Sequence, residues 1–182
     1  MAGIFEVFNK RLAQFKKSVP KQVAANAVKF FVGRFTAQSW LDSSEQPWAP
    51  RKAAWGRKKD TGRAILVKSG RLRRSIRTTE ATFDNIVIAS MDVPYARAHN
   101  EGFEGEVTQN LRAHTRRAHK RKGYTTATGR KVKPTTVAEH TVGPFTRKRK
   151  VSLPARRFMG HSQALTDQTT AILEQGLERL AK

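Results

Sequence analysis

The side chains in this sequence that could do chemistry are histidines and a large excess of cations. His99 stands beside Asn100 in the run VPYARAHNEGF, and histidine is the commonest general base. No serine or cysteine nucleophile motif and no paired carboxylate accompanies the pair, which points away from catalysis. A hydrogen bond from His99 near a helix end, helping to fix the following strand, is the expected role. His114, His119 and His140 are possible metal ligands, but there is no cysteine to supply a thiolate and no HExxH spacing. A GxxxxGK[ST] phosphate loop is also absent. The sequence therefore predicts no enzyme, no cofactor and no metal centre.

The cations form a denser pattern. Arg112, Arg116, Arg117, Lys120, Arg121, Lys122, Arg130, Lys131 and Lys133, followed by Arg147, Lys148, Arg149 and Lys150, share their stretch with one acid, Glu139. Such a run can be a solvated face, can neutralise nucleic-acid phosphates whatever the base sequence, or can dock on an acidic protein surface. Tyr124 could add only incidental base stacking. These residues are the candidate DNA- or partner-contacting set. Over the whole chain, 36 Lys and Arg face 14 Asp and Glu, giving a formal net charge of +22 over 182 residues. A chain this basic repels itself unless a polyanion or an acidic surface takes up the charge.

The elements that must carry these residues follow from periodicity. Glu106 to Leu111 and Thr135 to Thr141 read as strands, and the echo of Leu111-Arg-Ala-His-Thr115 in Val137-Ala-Glu-His-Thr141 suggests two limbs of one long hairpin. Gly123, Gly129 and Pro134 mark its tip. Upstream, Ile4, Phe8, Leu12 and Phe15 predict an amphipathic helix, punctuated by Ser18 and Pro20. A second helix is expected from about Val19 to Gln38, with Val23, Ala27, Phe31 and Phe35 on its core stripe. Phe30 lies off that stripe and is a candidate for contact with a neighbouring subunit.

Between Trp40 and Asp60, Pro47, Pro50 and Gly56 break the pattern while Trp40, Trp48 and Trp55 supply large apolar surfaces, so the loop should be pinned. Trp48 is assigned to the core; Trp55 suits either a core or an interface anchor. In LVKSGRLRRSI, Leu72 and Ile76 lie four apart, so one helical turn buries both beside Val67 and leaves Arg71, Arg73 and Arg74 wet. Ser69 and Gly70 form the joint before it. Ile76 to Ser90 then reads as a hairpin turning at Asp84-Asn85, and Tyr95 to Glu101 as two helical turns stopped by Gly102. Leu165, Ile172, Leu173, Leu177 and Leu180 mark a final helix, which Gly176 interrupts at a cost of about 1 kcal/mol, a hint of close approach by a neighbour.

The order SGRLRRSI, a two-strand stretch, YARAHNEGF and then LPARRFMG resembles the phage virion morphogenesis family, the tail-completion and head-tail joining proteins of Mu-like long-tailed phages. The resemblance runs from roughly Trp48 to the C-terminus. It implies a non-enzymatic neck component that works as a multimer. It also implies that Trp48 holds the place of a family tryptophan before a proline, and that Phe158 of Leu153-Pro154-Ala155-Arg156-Arg157-Phe158 returns to the core.

The expected fold is α+β: N-terminal helices over residues 1–40, a core of 61–105 and 151–182 with a small, mostly antiparallel sheet, and a basic hairpin arm over 106–150, all within one connector domain of residues 1–182. The C-terminal helix should pack on the sheet. Trp48, Trp55, Leu72, Ile76, Tyr95 and Phe158 are the core or interface anchors. The expected partners are further copies in a closed ring, a hexamer in preference to a dodecamer, with adjacent neck, portal-side or tail-tube proteins and double-stranded DNA in the channel. No apolar run reaches the ~20 residues of a membrane span, so no membrane partner is expected, and the expected location is the virion neck after assembly in the host cytoplasm. The alternative is a sequence-independent nucleic-acid-binding protein, ribosome-associated or engaged in packaging.

Overall fold

The computed structural model describes residues 2–51 and 63–181. Trp55 lies outside the described residues. The fold is α+β, and the chain divides into two compact units, one of Met1–Phe103 with Leu153–Lys182 and one of Glu104–Ser152.

The first unit is built on α1, Ala2–Ala37, one continuous helix where two were expected. Pro20 lies inside it, although an interior proline removes a hydrogen bond and costs about 3 kcal/mol. Packing on both sides of the proline offsets that cost. Ahead of it, Phe15 and Val19 close on Gly176 of the last helix so tightly that a Cβ there would meet Phe15 Cε2 at 2.7 Å. Beyond it, Ala24, Ala27, Phe30, Phe31 and Phe35 are buried. The neighbour that Gly176 admits is thus this chain's own α1.

Phe30 belongs to the chain's own core and is not left over for another subunit. Its ring meets Trp40 edge-on at 6.0 Å, while Phe31 stacks on the same indole at 6.5 Å. Trp40 sits in β1, Ser39–Leu41, which pairs antiparallel with β2, Glu45–Pro47. The short helix α2, Arg71–Ser75, follows Gly70, whose φ of +68° is a left-handed conformation that glycine adopts without a steric penalty. Leu72 and Ile76 are buried, Val67 packs against the same cluster, Arg71 and Arg74 are exposed and Arg73 is half-buried.

Strands β3, Ile76–Ala81, and β4, Ile86–Ser90, form an antiparallel hairpin with a register shift between Thr78 and Glu80. Thr82 closes its turn, donating its backbone N–H to Asn85 O (2.8 Å) and accepting the Asn85 N–H on Oγ1 (3.0 Å). The helix α3, Ala96–Glu101, ends at Gly102, with φ +85°. A Cβ at Gly102 would lie 3.1 Å from Ala155 N and 3.2 Å from Leu153 O, so the chain's exit to the second unit and its return run side by side.

The last helix, α4, Gln163–Ala181, begins where Ser162 Oγ donates to Leu41 O (2.7 Å) and accepts from Leu165 N (3.3 Å). It packs on α1 and not on the sheet, because α1 already covers β3 and β4. Among the residues expected on its buried face, Leu165, Ile172 and Leu180 are half-buried, while Leu173 and Leu177 face solvent.

The second unit is a nested ladder. Strand β5, Phe103–Leu111, pairs with β12, Phe145–Leu153. Inside them β6, His114–Arg116, pairs with β11, His140–Val142; then β7, His119–Arg121, with β10, Thr135–Val137; and last β8, Tyr124–Thr125, with β9, Lys131–Val132. The turn lies at Thr126 to Arg130, where Thr126 Oγ1 accepts from Arg130 N at 3.0 Å. Glu106 to Leu111 therefore pairs with the chain before Leu153, and not with Thr135 to Thr141 as their matching ends suggested. The echoed pieces still meet, since Thr115 lies opposite Thr141.

Candidate basic interface

Three of the strands in the second unit begin with a histidine. His114, His119 and His140 open β6, β7 and β11, and each places Nδ1 3.0 to 3.1 Å from the carbonyl two residues earlier, on Arg112, Arg117 and Ala138. That local contact turns the chain after a two-residue break and lets pairing resume. The echo has a third copy, Arg117-Ala118-His119, visible in the sequence once the junction is known.

On this frame all thirteen candidate basic residues, Arg112 through Lys150, are exposed. Pairing sets four of them against residues other than lysine or arginine: Arg116 opposite His140, Lys120 opposite Thr136, Arg121 opposite Thr135 and Lys131 opposite Thr125. Directly opposed like charges would weaken the ladder, and this register avoids them. Along β12 the strand period sends Arg147 and Arg149 to one face and Lys148 and Lys150 to the other. Arg147 is held by Gln109 Oε1, which accepts from Nε (3.0 Å) and Nη2 (2.9 Å). Among the described residues none of the thirteen forms an ion pair. In the inner rungs only Val132, Val137 and Val142 are half-buried, so apolar burial contributes little here and the charge stays in water.

The anchors lie in the first unit. Leu72, Ile76 and Phe158 are buried in one cluster with Trp48, whose Nε1 donates to Arg157 O at 2.8 Å. Tyr95 is 41% exposed and meets the His99 ring edge-on. His99 does not fix the returning chain through its side chain: Nδ1 is buried without a partner, and the backbone carbonyl of His99 accepts from Arg156 N (2.8 Å). Burial first, and then the charge of Arg156, hold its pKa below the ordinary value. The side chain that binds the return is Asn100, whose Oδ1 accepts from Phe158 N and Met159 N.

Sequence reasoning missed three further positions. Gln38 bonds both the N–H and the carbonyl of Ile65, Arg156 is buried and donates to Ala49 O (3.0 Å) and Pro50 O (3.3 Å), and Arg157 lies 4.8 Å from the Trp40 ring centre. Their signal is long-range, and no spacing within the chain announces it.

No helix among the described residues is long and apolar enough to cross a membrane. Comparison with curated proteins and with solved structures returned no match. A family model does match, over residues 6–178, and its span takes in both the α+β unit and the basic ladder inserted in it. The chain belongs to the phage virion morphogenesis family and is a virion-associated protein of phage assembly.

Proposed function

We propose that this protein is a structural, non-enzymatic component of the phage neck, a tail-completion protein whose copies close into a ring that joins head to tail around the DNA channel. The observation that carries this reading is the ladder of thirteen exposed, unpaired cations, combined with the family's role in building virions. Cations left in water on a thin hairpin contribute nothing to a core, so their use is to meet an anionic surface. We assign the arm to an acidic face of an adjacent neck, portal-side or tail-tube protein, with double-stranded DNA nearby. A channel lining that gripped phosphates strongly would slow passage of the genome. The same cations support a second reading, sequence-independent binding of nucleic acid.

Cyclic closure repeats one heterologous contact, and a hexamer is the preferred ring. Counting labelled copies in intact particles tests it. A hexameric count confined to the head-tail junction is expected; a single copy per neck would end the ring reading.

A further inference from the structure

Trp40, Pro47, Trp48, Arg157 and Met159 line a cavity of about 640 Å³ in the first unit, with Glu101 also in its lining. We propose that this cavity binds a short segment of a neighbouring virion protein, one that presents an aspartate or glutamate carboxylate to Arg157 beside an apolar side chain. The inference rests on the family's virion role and not on the ring, the neck position or the arm.

Two consecutive arginines are used differently. Arg156 is buried and gives its donors to Ala49 O and Pro50 O. Arg157 is exposed, and among the described residues its guanidinium has neither an ion pair nor a hydrogen-bond acceptor. The group is nevertheless held. It lies 4.8 Å from the centre of the Trp40 ring, and a Cβ at Gly160, where φ is +138°, would come within 2.7 Å of Nη2. Glycine at that position leaves the space that the guanidinium fills, and the contact with the indole face uses none of its N–H donors. A cation already held in place loses little freedom when an acceptor arrives. Trp40 adds a second unmet donor, its buried Nε1. This wall is short of oxygen acceptors.

Charge and polarity select the ligand. Among the described residues of the lining, Arg157 is the one cation and Glu101 the one acid, and Glu101 is already matched by Arg97 Nε at 2.8 Å. A single carboxylate balances Arg157, whereas a phosphate dianion would set surplus charge beside Glu101. A nucleic-acid backbone brings no apolar group for Pro47, Trp48 and Met159, and a peptide does. The volume suits a short peptide better than a lone anion. A second copy is the poorer occupant, because each chain carries a formal net charge of +22 and repels its like.

The test uses the full chain with the five arm residues Arg116, Arg117, Lys120, Arg121 and Lys122 changed to alanine, so that the arm does not compete for the probe. An acetylated, amidated tripeptide of aspartate between two leucines is titrated in, and the indole N–H of Trp40, assigned through Trp40→Phe, and the Gly160 amide are followed by NMR. Both signals should shift. The same peptide with asparagine for aspartate should bind at least about fivefold more weakly, and Arg157→Gln should abolish that preference. Should Arg157→Gln not fold, Arg157→Lys, which keeps the charge and loses the planar fork, should weaken the aspartyl peptide several-fold. Signals that ignore the peptide, equal affinity for the two peptides, or an affinity unchanged in the Arg157 variants would overturn the proposal. Inorganic phosphate or trisaspartate binding as tightly would overturn the carboxylate-plus-apolar assignment, and self-association abolished by Arg157→Gln would overturn the choice of partner in favour of a second copy.

Discussion

Asn100 clamps Met159 at both of its backbone polar groups: Oδ1 accepts from Met159 N at 3.0 Å, and Nδ2 donates to Met159 O at 3.1 Å. The amide plays the part of one more peptide group, tying the end of α3 to the chain that follows β12. Gln38 does the same to Ile65. Asn100→Ala strips both backbone groups of their partner and should cost about 2 to 4 kcal/mol. Asn100→Asp keeps the accepting oxygen but sets a second acceptor against Met159 O, so it should be destabilising as well. Denaturant unfolding of both variants checks this; an Asp variant as stable as the parent would show that the donated bond contributes nothing.

Leu72→Asp places a charge with no partner into the cluster of Trp48, Ile76 and Phe158, at a cost of several kcal/mol. For a chain of this length that lowers Tm by roughly 10 °C or more. Arg73→Ala, at a half-buried side chain, should cost less than about 1 kcal/mol. Equal melting temperatures for the two would remove Leu72 from the core.

The pH dependence of stability should carry the mark of His99. Its folded pKa lies below the ordinary value near 6.5, so on acidification the unfolded chain takes up a proton that the folded chain resists. The contribution is fully present above about pH 6.5 and is lost as the pH falls towards the folded pKa. His99→Leu should flatten the unfolding free energy over that interval. The same slope in parent and variant would assign the loss to other groups.

Much of this was legible beforehand, for identifiable reasons. The hairpin of β3 and β4 follows from Asp84-Asn85 between β-rich runs, and α2 from the spacing of Leu72 and Ile76, because both are set by near neighbours. Pro20 misled for the opposite reason: a local rule ends a helix there, and distant contacts with Gly176 carry it through. The clamps of Asn100 and Gln38 were invisible because a side-chain amide gives no hint of which distant backbone it will meet. For the arm, the echo revealed that two limbs pair, but register depends on the histidine junctions, which look like ordinary basic sequence.

The arm separates the functional readings. Changing Arg116, Arg117, Lys120, Arg121 and Lys122 to alanine should leave Tm nearly unchanged, since all five are exposed and none forms an ion pair. If they dock on an acidic protein, heads and tails should accumulate unjoined while duplex affinity changes little. If they neutralise phosphates, the fall of affinity with salt should become shallower. Normal assembly together with unchanged DNA binding would leave both readings without support.

The close approach of Gly102 to Leu153 and Ala155 has a consequence for descent as well as for folding. Because the inserted ladder leaves and rejoins its host at one point, rungs can be added or removed in matched pairs while the host's packing is untouched. Doubling the length of such a closed segment costs only about 0.6 kcal/mol in closure entropy. Reach and stability are therefore separately heritable, because the number of rungs can change without touching the core of the host unit.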